Sequence, residues 1–375
     1  MDAFVKYLDV FLEFSIFSAT LTVTRKYWWS NVILIVMIFG NFLSITSAIT
    51  NVVYQLTCKM DHMELFFATL IVSVQIEINF KQISCMIHKK FFMKLFIWVK
   101  NLPLRTFNGT FGDAPGEIIQ KARKFSTMFF VIYNINFILT SISYAFLVVF
   151  ESNDKKIWLR MPFVADNHPY HGEIHAFLTF YCFPIIGLST PIVDCPLVIV
   201  GLQIMGFLDI IKDGIQHLKD DTQREEFSQI LKNVFELHCE FIEIFKDFNT
   251  ATCFATLFQF TGSILMFLSS FSLIMLHPNE YLMYQCIICV FCQLALFCLF
   301  GQIIQMKTDK ICEELYQTKW YDFTIADKKN FVLMLKISQL NYCMKAGGMY
   351  DINIVTFFQI IKLAITYCTL MVAFL

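Results

Sequence analysis

Two groups of residues in this sequence have the spacing that metal sites use. Cys286, Cys289 and Cys292 recur every third position, and His168, His171, Glu173 and His175 crowd one short stretch, so zinc ligation is the first chemistry to weigh. The cysteines lie in an apolar run free of Asp, Glu, Lys and Arg, with no fourth ligand nearby. There they read as small polarizable packing groups. The histidines read better as a polar lid over a helical bundle than as a zinc site. No P-loop, dinucleotide glycine fingerprint, H-E-x-x-H helix or G-x-S-x-G elbow occurs, so enzyme chemistry has no anchor, and neither metal nor cofactor is expected.

Residues suited to binding are more plentiful. Phe66, Leu70 and Ser73 share one helix face, as do Phe137, Ser141 and Tyr144, while Phe177, Phe180 and Tyr181 open another apolar run and Tyr284 begins a further one. Any one of them is more often packing than pocket, so only the cluster carries weight. Together they would enclose a small, mostly neutral ligand, apolar or aromatic with one hydrogen-bonding group, because no Arg or Lys is present there to hold an anion. Near the end of the chain Thr356, Gln359, Lys362, Thr366, Tyr367 and Thr369 mix with Phe357, Phe358, Ile360, Ile361, Leu363, Leu370 and Met371. Such a two-faced span either lines a water-filled path or hydrogen-bonds to neighbouring helices.

What must position these residues is a membrane bundle. Of 375 residues 57% are apolar and only 16% charged, too little charge to cover a soluble surface, and 43 Phe are spread along the whole chain. The odd count of 13 Cys, mostly inside apolar runs, does not describe a disulfide framework. The net charge of −1 and the lack of a basic stripe argue against nucleic acid. Seven runs satisfy the roughly 20 apolar residues that a span needs: 28–56, 65–87, 125–150, 175–211, 251–276, 281–306 and 352–375. Glu77 and Lys81 stand four apart in the second, so they can pair on one face. Asp194 in the fourth needs a buried partner or water, and Pro184, Pro191 and Pro196 can kink that run.

Lys and Arg set the orientation. The segments before the first span and after the second, fourth and sixth hold 23 of them, and the alternate segments hold 4. This places the amino terminus in the cytosol and, after seven spans, the carboxyl terminus outside. Ahead of the first span Leu8, Phe11, Leu12, Ser15 and Ala19 recur near helical spacing while Asp2, Lys6, Asp9 and Glu13 interrupt any signal-peptide core, so an interfacial helix is expected. Between the fourth and fifth spans Phe227, Ile230, Leu231, Val234, His238, Phe241, Ile242 and Phe245 keep a 3.6 period. The sixth span continues through 307–316, and a second amphipathic stretch at 328–345 precedes a break at Gly347 and Gly348. These pieces would pack as a cytosolic helical domain where subunits meet.

Phe297, Cys298 and Gly301, then Tyr316, Trp320, Tyr321, Lys328, Lys329, Gln339, Ala346, Gly347, Thr356, Phe357, Lys362 and Tyr367 follow one another in fixed order. That carboxyl-terminal pattern resembles the insect odorant receptors, with looser similarity upstream that includes Asp194. Asn341 and Thr366 depart from the family's usual Pro and Ser, which bears on how the last cytosolic helix bends and how the gate packs. The resemblance implies an all-α membrane protein of seven spans with a helical cytosolic anchor. Residues 1–27 would be the amino-terminal cytosolic or interfacial helix, 28–211 spans one to four with the ligand pocket in their outer half, and 212–250 an anchor helix. Spans five and six would take 251–306, further anchor helices 307–349, and a pore-lining span 350–375.

The family further implies a ligand-gated, non-selective cation channel in the plasma membrane of a sensory neuron dendrite. It would be a tetramer with the odorant receptor co-receptor, opened by a volatile odorant, with Tyr367, Leu370 and Met371 as gate candidates. The Phe and Tyr content favours a small aromatic volatile. A gustatory receptor shares fold and orientation but only a shorter terminal signature. A G-protein-coupled receptor would be inverted, and a transporter would show paired interrupted spans. Asn108, Gly109 and Thr110 form a glycosylation sequon on the side assigned to the cytosol. Receptor made in insect cells should therefore keep its gel mobility after glycosidase treatment, and a glycan on Asn108 would overturn the orientation.

Overall fold

The computed structural model describes residues 10, 13–16, 18–20, 28–58, 62–105, 114–150, 158–165, 167–219, 224–276, 278 and 281–374. After a helical fragment before residue 20, the described residues form nine α-helices: α1 (Trp28–Thr57), α2 (His62–Ile87), α3 (Lys89–Asn101), α4 (Ala114–Phe150), α5 (His171–His217), α6 (Arg224–Leu276), α7 (Tyr281–Tyr316), α8 (Ile325–Ser338) and α9 (Ile354–Phe374). Six of them, α1, α2, α4, α5, α6 and α7, contain stretches long and apolar enough to cross a bilayer. The apolar α9, at 21 residues, is about 32 Å long and completes a seven-span bundle. The sequon at Asn108 and most of the expected amino-terminal helix, Leu8, Phe11 and Leu12 included, lie outside the described residues; Ser15 and Ala19 are buried.

Burial ranks the helices. In the most apolar stretch of α5 83% of residues are buried, against at most 44% in the other spans, so α5 is the central post and the others pack around it. It runs 47 residues, about 70 Å, and continues through Pro184, Pro191 and Pro196. Neighbouring helices can satisfy what a proline frees in a membrane bundle. The amphipathic run after residue 224 and the fifth span are one unbroken helix, α6, 53 residues long. Along its first half Ile230, Leu231, Val234, His238, Phe241, Phe245 and Phe248 are buried. Burial pushes the His238 imidazole down to about 4, so this ring is neutral within the apolar face.

A helix not expected from the sequence, α3, turns away after His88 and buries Phe92, Leu95, Phe96 and Val99. Its polar edge clamps α6: Lys94 lies 2.6 Å from both Glu243 and Asp247, the Trp98 indole N–H donates to Glu240 at 2.8 Å, and Arg105 donates to the same carboxylate at 2.6 Å. Hydrogen bonding to Lys94 holds Glu243 below the usual carboxylate range.

The expected amphipathic helix at 328–345 is shorter and starts earlier. Thr324 caps α8 by accepting from the Asp327 N–H at 3.2 Å. Beyond Ser338 the chain is drawn out of helix by Asn249 of α6, whose amide donates to the Cys343 carbonyl and accepts from the Lys345 N–H, both at 3.0 Å. A two-residue antiparallel hairpin follows, β1 (Lys345–Ala346) with β2 (Tyr350–Asp351), the one β element among the described residues. Its turn needs Gly347 and Gly348 at φ +61° and +73°, and the Gly347 N–H reaches the Cys253 carbonyl at 2.8 Å. On α7, Gly301 lies against the Ile352 carbonyl just before α9, where a Cβ would collide with backbone. Gly301→Ala should therefore lower the melting temperature of the purified protein by several degrees, measured by scanning fluorimetry; an unchanged melting temperature would show that α9 can move freely at its root.

Candidate functional site

The polar centre of the bundle is built on Lys81 of α2. Its ammonium has three protons and three acceptors: Glu77 one turn back at 2.8 Å, Asp194 of α5 at 3.0 Å and the Gln259 amide oxygen of α6. The other Asp194 oxygen accepts from the Tyr133 hydroxyl at 3.1 Å and from Gln293 at 2.9 Å. Gln293 also donates to Gln259 at 3.0 Å, and Gln259 donates to Ser263 at 3.0 Å. Lys81 is 2% and Asp194 0% exposed. Five helices, α2, α4, α5, α6 and α7, thus meet on one cation between two carboxylates, and Lys81 is the buried partner that Asp194 requires. Gly262 of α6 leaves the room that the Glu77 carboxylate fills.

Toward the end of the bundle that carries residues 158–170, the polar centre gives way to an apolar cluster. Leu70 is buried there, and Phe66, Tyr144 and Tyr181 pack partly buried against Phe67, Leu178 and Phe183. The Tyr144 hydroxyl lies 3.2 Å from the Cys286 sulfur of α7. Ser73 and Ser141 donate to carbonyls of their own helices, Thr69 at 2.9 Å and Phe137 at 2.6 Å. Phe137 stacks toward Tyr133, ring centres 4.8 Å apart, which links the aromatic set to the polar centre. Phe177 and Tyr181 line a cavity of about 390 Å³ with Leu43, Met161, Tyr170 and Glu173. Phe177 is 75% exposed, and Phe180 and Tyr284 are nearer 40%; Tyr284 donates to the Pro278 carbonyl at 3.2 Å. Phe66, Leu70, Tyr144 and Tyr181 therefore share one cluster, whereas Phe180 and Tyr284 are exposed and outside it.

Sequence reasoning missed the segment that closes this end. Trp158, Leu159 and Arg160 are buried between the helices. Trp158 stacks on Phe67 with ring centres 4.0 Å apart, its carbonyl accepts from Asn51 at 3.0 Å, and the Arg160 guanidinium lies 3.4 Å over the Tyr54 ring. A Trp-Leu pair in a connecting segment is a signal that the search for spans passes over. Among the crowded histidines, the His175 Nδ1 accepts from the Met161 N–H at 3.3 Å. In the neutral ring the proton is then on Nε2, which lies 3.1 Å from the His171 Nε2. The pair fits a donor and an acceptor, and among the described residues no three His, Cys, Asp or Glu side chains gather to hold a metal.

On α9, Phe357, Ile360, Ala364 and Cys368 are buried in one stripe against α6 and α7. Gln359, Lys362, Thr366 and Thr369 run along the opposite side and are exposed. Tyr367 and Leu370 flank that stripe, 41% and 53% exposed, and Met371 follows one residue later on the same helix.

A seven-span helical bundle with a closed polar centre, an aromatic end and a two-sided terminal helix defines the class, a polytopic α-helical membrane protein. The family model described as 7tm odorant receptor matches residues 64–365, and the chain belongs to the insect odorant receptor family. It is similar in fold to the olfactory receptor OR5 from Machilis hrabei in complex with eugenol, with a TM-score of 0.78 at 13% identity over 100% of this chain and 99% of that one. A second structure of the same receptor gives 0.77 at 12% identity over 99% and 97%. No curated protein matches the chain.

The polar centre makes a sharp energetic demand. Lys81→Met would strand two carboxylates in the bundle, so a loss of roughly 3–5 kcal/mol is expected. Lys81→Met combined with Asp194→Leu should unfold at a higher temperature than Lys81→Met alone. If the double variant unfolds at the lower temperature of the two, the ion pair is not what stabilises the centre.

Proposed function

We propose that this chain is a tuning subunit of an odorant-gated, non-selective cation channel in the plasma membrane, assembled with the odorant receptor co-receptor as a heterotetramer. The observation that carries this reading is the two-sided α9, whose polar stripe stands opposite the face it packs by. A helix seated in this way has its back on its own subunit and its front on water. Conduction through the chain's own core is opposed by the packing of α5 and by Lys81, whose protons are all engaged. The path for permeant cations then lies between subunits, along α9.

The charge asymmetry puts the amino terminus in the cytosol, which makes α3, the first half of α6 and α8 the cytosolic anchor. It makes the cluster around Tyr144 the outer, odorant-facing half, so a small aromatic volatile would be held by Phe66, Leu70, Ser73, Phe137, Ser141, Tyr144, Phe177, Phe180, Tyr181 and Tyr284. A fold relative recorded with eugenol, a small aromatic phenol, supports the ligand class. A route to the gate runs over α7: Cys286 touches Tyr144 at 3.2 Å, and one and a half turns on, Phe291 meets Phe357 of α9 edge to face at 5.2 Å. An odorant that favours one packing around Tyr144 shifts the population of α9 positions, and with it Tyr367, Leu370 and Met371 at the gate.

Whole-cell recording tests this. Odorant-evoked cation current should appear only with the co-receptor, and Tyr144→Ala should raise the half-maximal odorant concentration by about tenfold or more at equal surface expression, since a lost contact of about 1.4 kcal/mol is tenfold. Current without the co-receptor would favour a gustatory-type channel, and an unchanged dose-response would remove Tyr144 from the pocket.

A further inference from the structure

A second cavity, of about 430 Å³, opens at the opposite end of the bundle from the aromatic cluster, within the roughly 300–1,000 Å³ of small-molecule sites. Its wall combines three cationic or titratable groups, His88, Lys246 and Lys345, with the apolar Phe245 and Phe254 and the amide of Asn249, and none of its eleven lining residues is a carboxylate. Neither lysine has a carboxylate partner among the described residues. The acids closest along α6, Glu243 and Asp247, are engaged by Lys94 of α3, and Asp351 stands across the hairpin from Lys345 without an ion pair to it. The His88 ring stacks on Phe254, centres 5.7 Å apart, and its Nδ1 is engaged with the Ser84 carbonyl at 3.0 Å. Two ammonium groups and an imidazole are thus gathered over an aromatic floor with no counter-charge of their own.

The level of the cavity in the membrane identifies what can fill it. His88 follows the last residue of α2, Lys246 and Asn249 precede the apolar half of α6, and Lys345 lies nine residues before α9. All four are boundary positions, at the height of lipid headgroups. On the orientation adopted under the proposed function, that boundary is the cytosolic leaflet, where anionic lipids concentrate and basic pockets between helices collect their headgroups. We propose that this cavity is a binding site for an anionic phospholipid, with the phosphate between Lys246 and Lys345 and the acyl chains leaving along Phe254, which is itself 46% exposed. The inference rests on that orientation but not on any odorant. Its consequence is local: Lys345 belongs to the hairpin that leads into α9, and Lys246 to the α6 helix whose Cys253 carbonyl holds the Gly347 N–H. A phosphate between them ties the root of the last span to α6.

The test uses the full-length receptor in phosphatidylcholine nanodiscs with and without phosphatidylserine, reading its melting temperature and the affinity for a short-chain phosphatidylserine. Phosphatidylserine should stabilise the unmodified chain. Lys246→Gln with Lys345→Gln should weaken the affinity roughly thirtyfold, about fivefold per lysine. Lys232→Gln with Lys329→Gln, which removes the same charge from exposed positions outside the cavity, should leave it unchanged. Lys246→Arg with Lys345→Arg should retain binding, which separates lost charge from a damaged fold. Equal weakening in both Gln pairs would reduce the effect to general attraction and overturn the site. Glycerophosphoserine without acyl chains, or inorganic phosphate, stabilising as strongly as the lipid would overturn the lipid assignment. Binding is read without current, so lost lipid affinity with an intact odorant response condemns this site alone. Intact lipid affinity without any odorant response condemns the receptor reading alone.

Discussion

One ammonium group sets the terms for the rest of this molecule. A lysine in the middle of an apolar bundle is tolerated only if its charge is met and each proton has an acceptor, and Lys81 meets that condition by drawing on Glu77, Asp194 and Gln259 together. Asp194 in turn needs Tyr133 and Gln293, so five helices share a junction that none could form alone. Hydrophobic contact does not distinguish one helix neighbour from another in lipid, where the surroundings are equally apolar. A polar centre with fixed donors and acceptors does. It specifies which helices meet and at what depth, and the aromatic packing on either side follows from that register.

The two ends that flank this junction are built differently. At the Trp158 end the contacts are aromatic stacking, aliphatic packing and a few bonds to backbone, with a cavity beside Tyr181. At the end that carries α3 and α8, ion pairs between Lys94, Arg105 and the acids of α6 join aromatic contacts such as those of Tyr342 with Phe241 and Phe245. Apolar packing has neighbouring arrangements of similar energy, whereas directional bonds favour one. An adaptable end thus lies to one side of the fixed centre and a firmly braced end to the other, a division that fits the ligand-binding and subunit-anchoring roles proposed for them.

The spans were legible because a bilayer imposes a length and a polarity that a sequence must obey: α2 starts three residues before its apolar run and ends with it, and α7 covers the sixth run together with its expected continuation to residue 316. Glu77 and Lys81 announced their pairing by a four-residue interval, and Asp194 announced the need for a partner. The identity of that partner did not follow, since Lys81 and Asp194 are separated by 113 positions and Lys81 and Gln259 by 178. Only the packing of α2 against α5 and α6 brings them together. Gln259 and Gln293 were passed over because spans free of formal charge look featureless, although amides do most of the bridging here. The hairpin at Lys345 escaped notice for a related reason: an amphipathic pattern continues past Ser338, but a single distant side chain, Asn249, makes extended backbone the better-bonded choice. In the aromatic set, periodicity placed residues on faces. It did not say which faces would meet, so Tyr144 and Tyr181 share a cluster while Tyr284 is exposed outside it.

The unbroken course of α6 has a mechanical meaning. A rod of 53 residues is about 80 Å long, and this one is pinned about two-thirds of the way along, where Gln259 is bound to Lys81 and Gln293. A rod held at an interior point behaves as a beam on a fulcrum. A slight tilt of the arm toward Leu276 swings the arm toward Arg224 the other way, and the long arm multiplies the displacement. Because Lys94 and Arg105 hold the acids of that longer arm, α6 cannot tilt about Gln259 without carrying α3 and its neighbours with it.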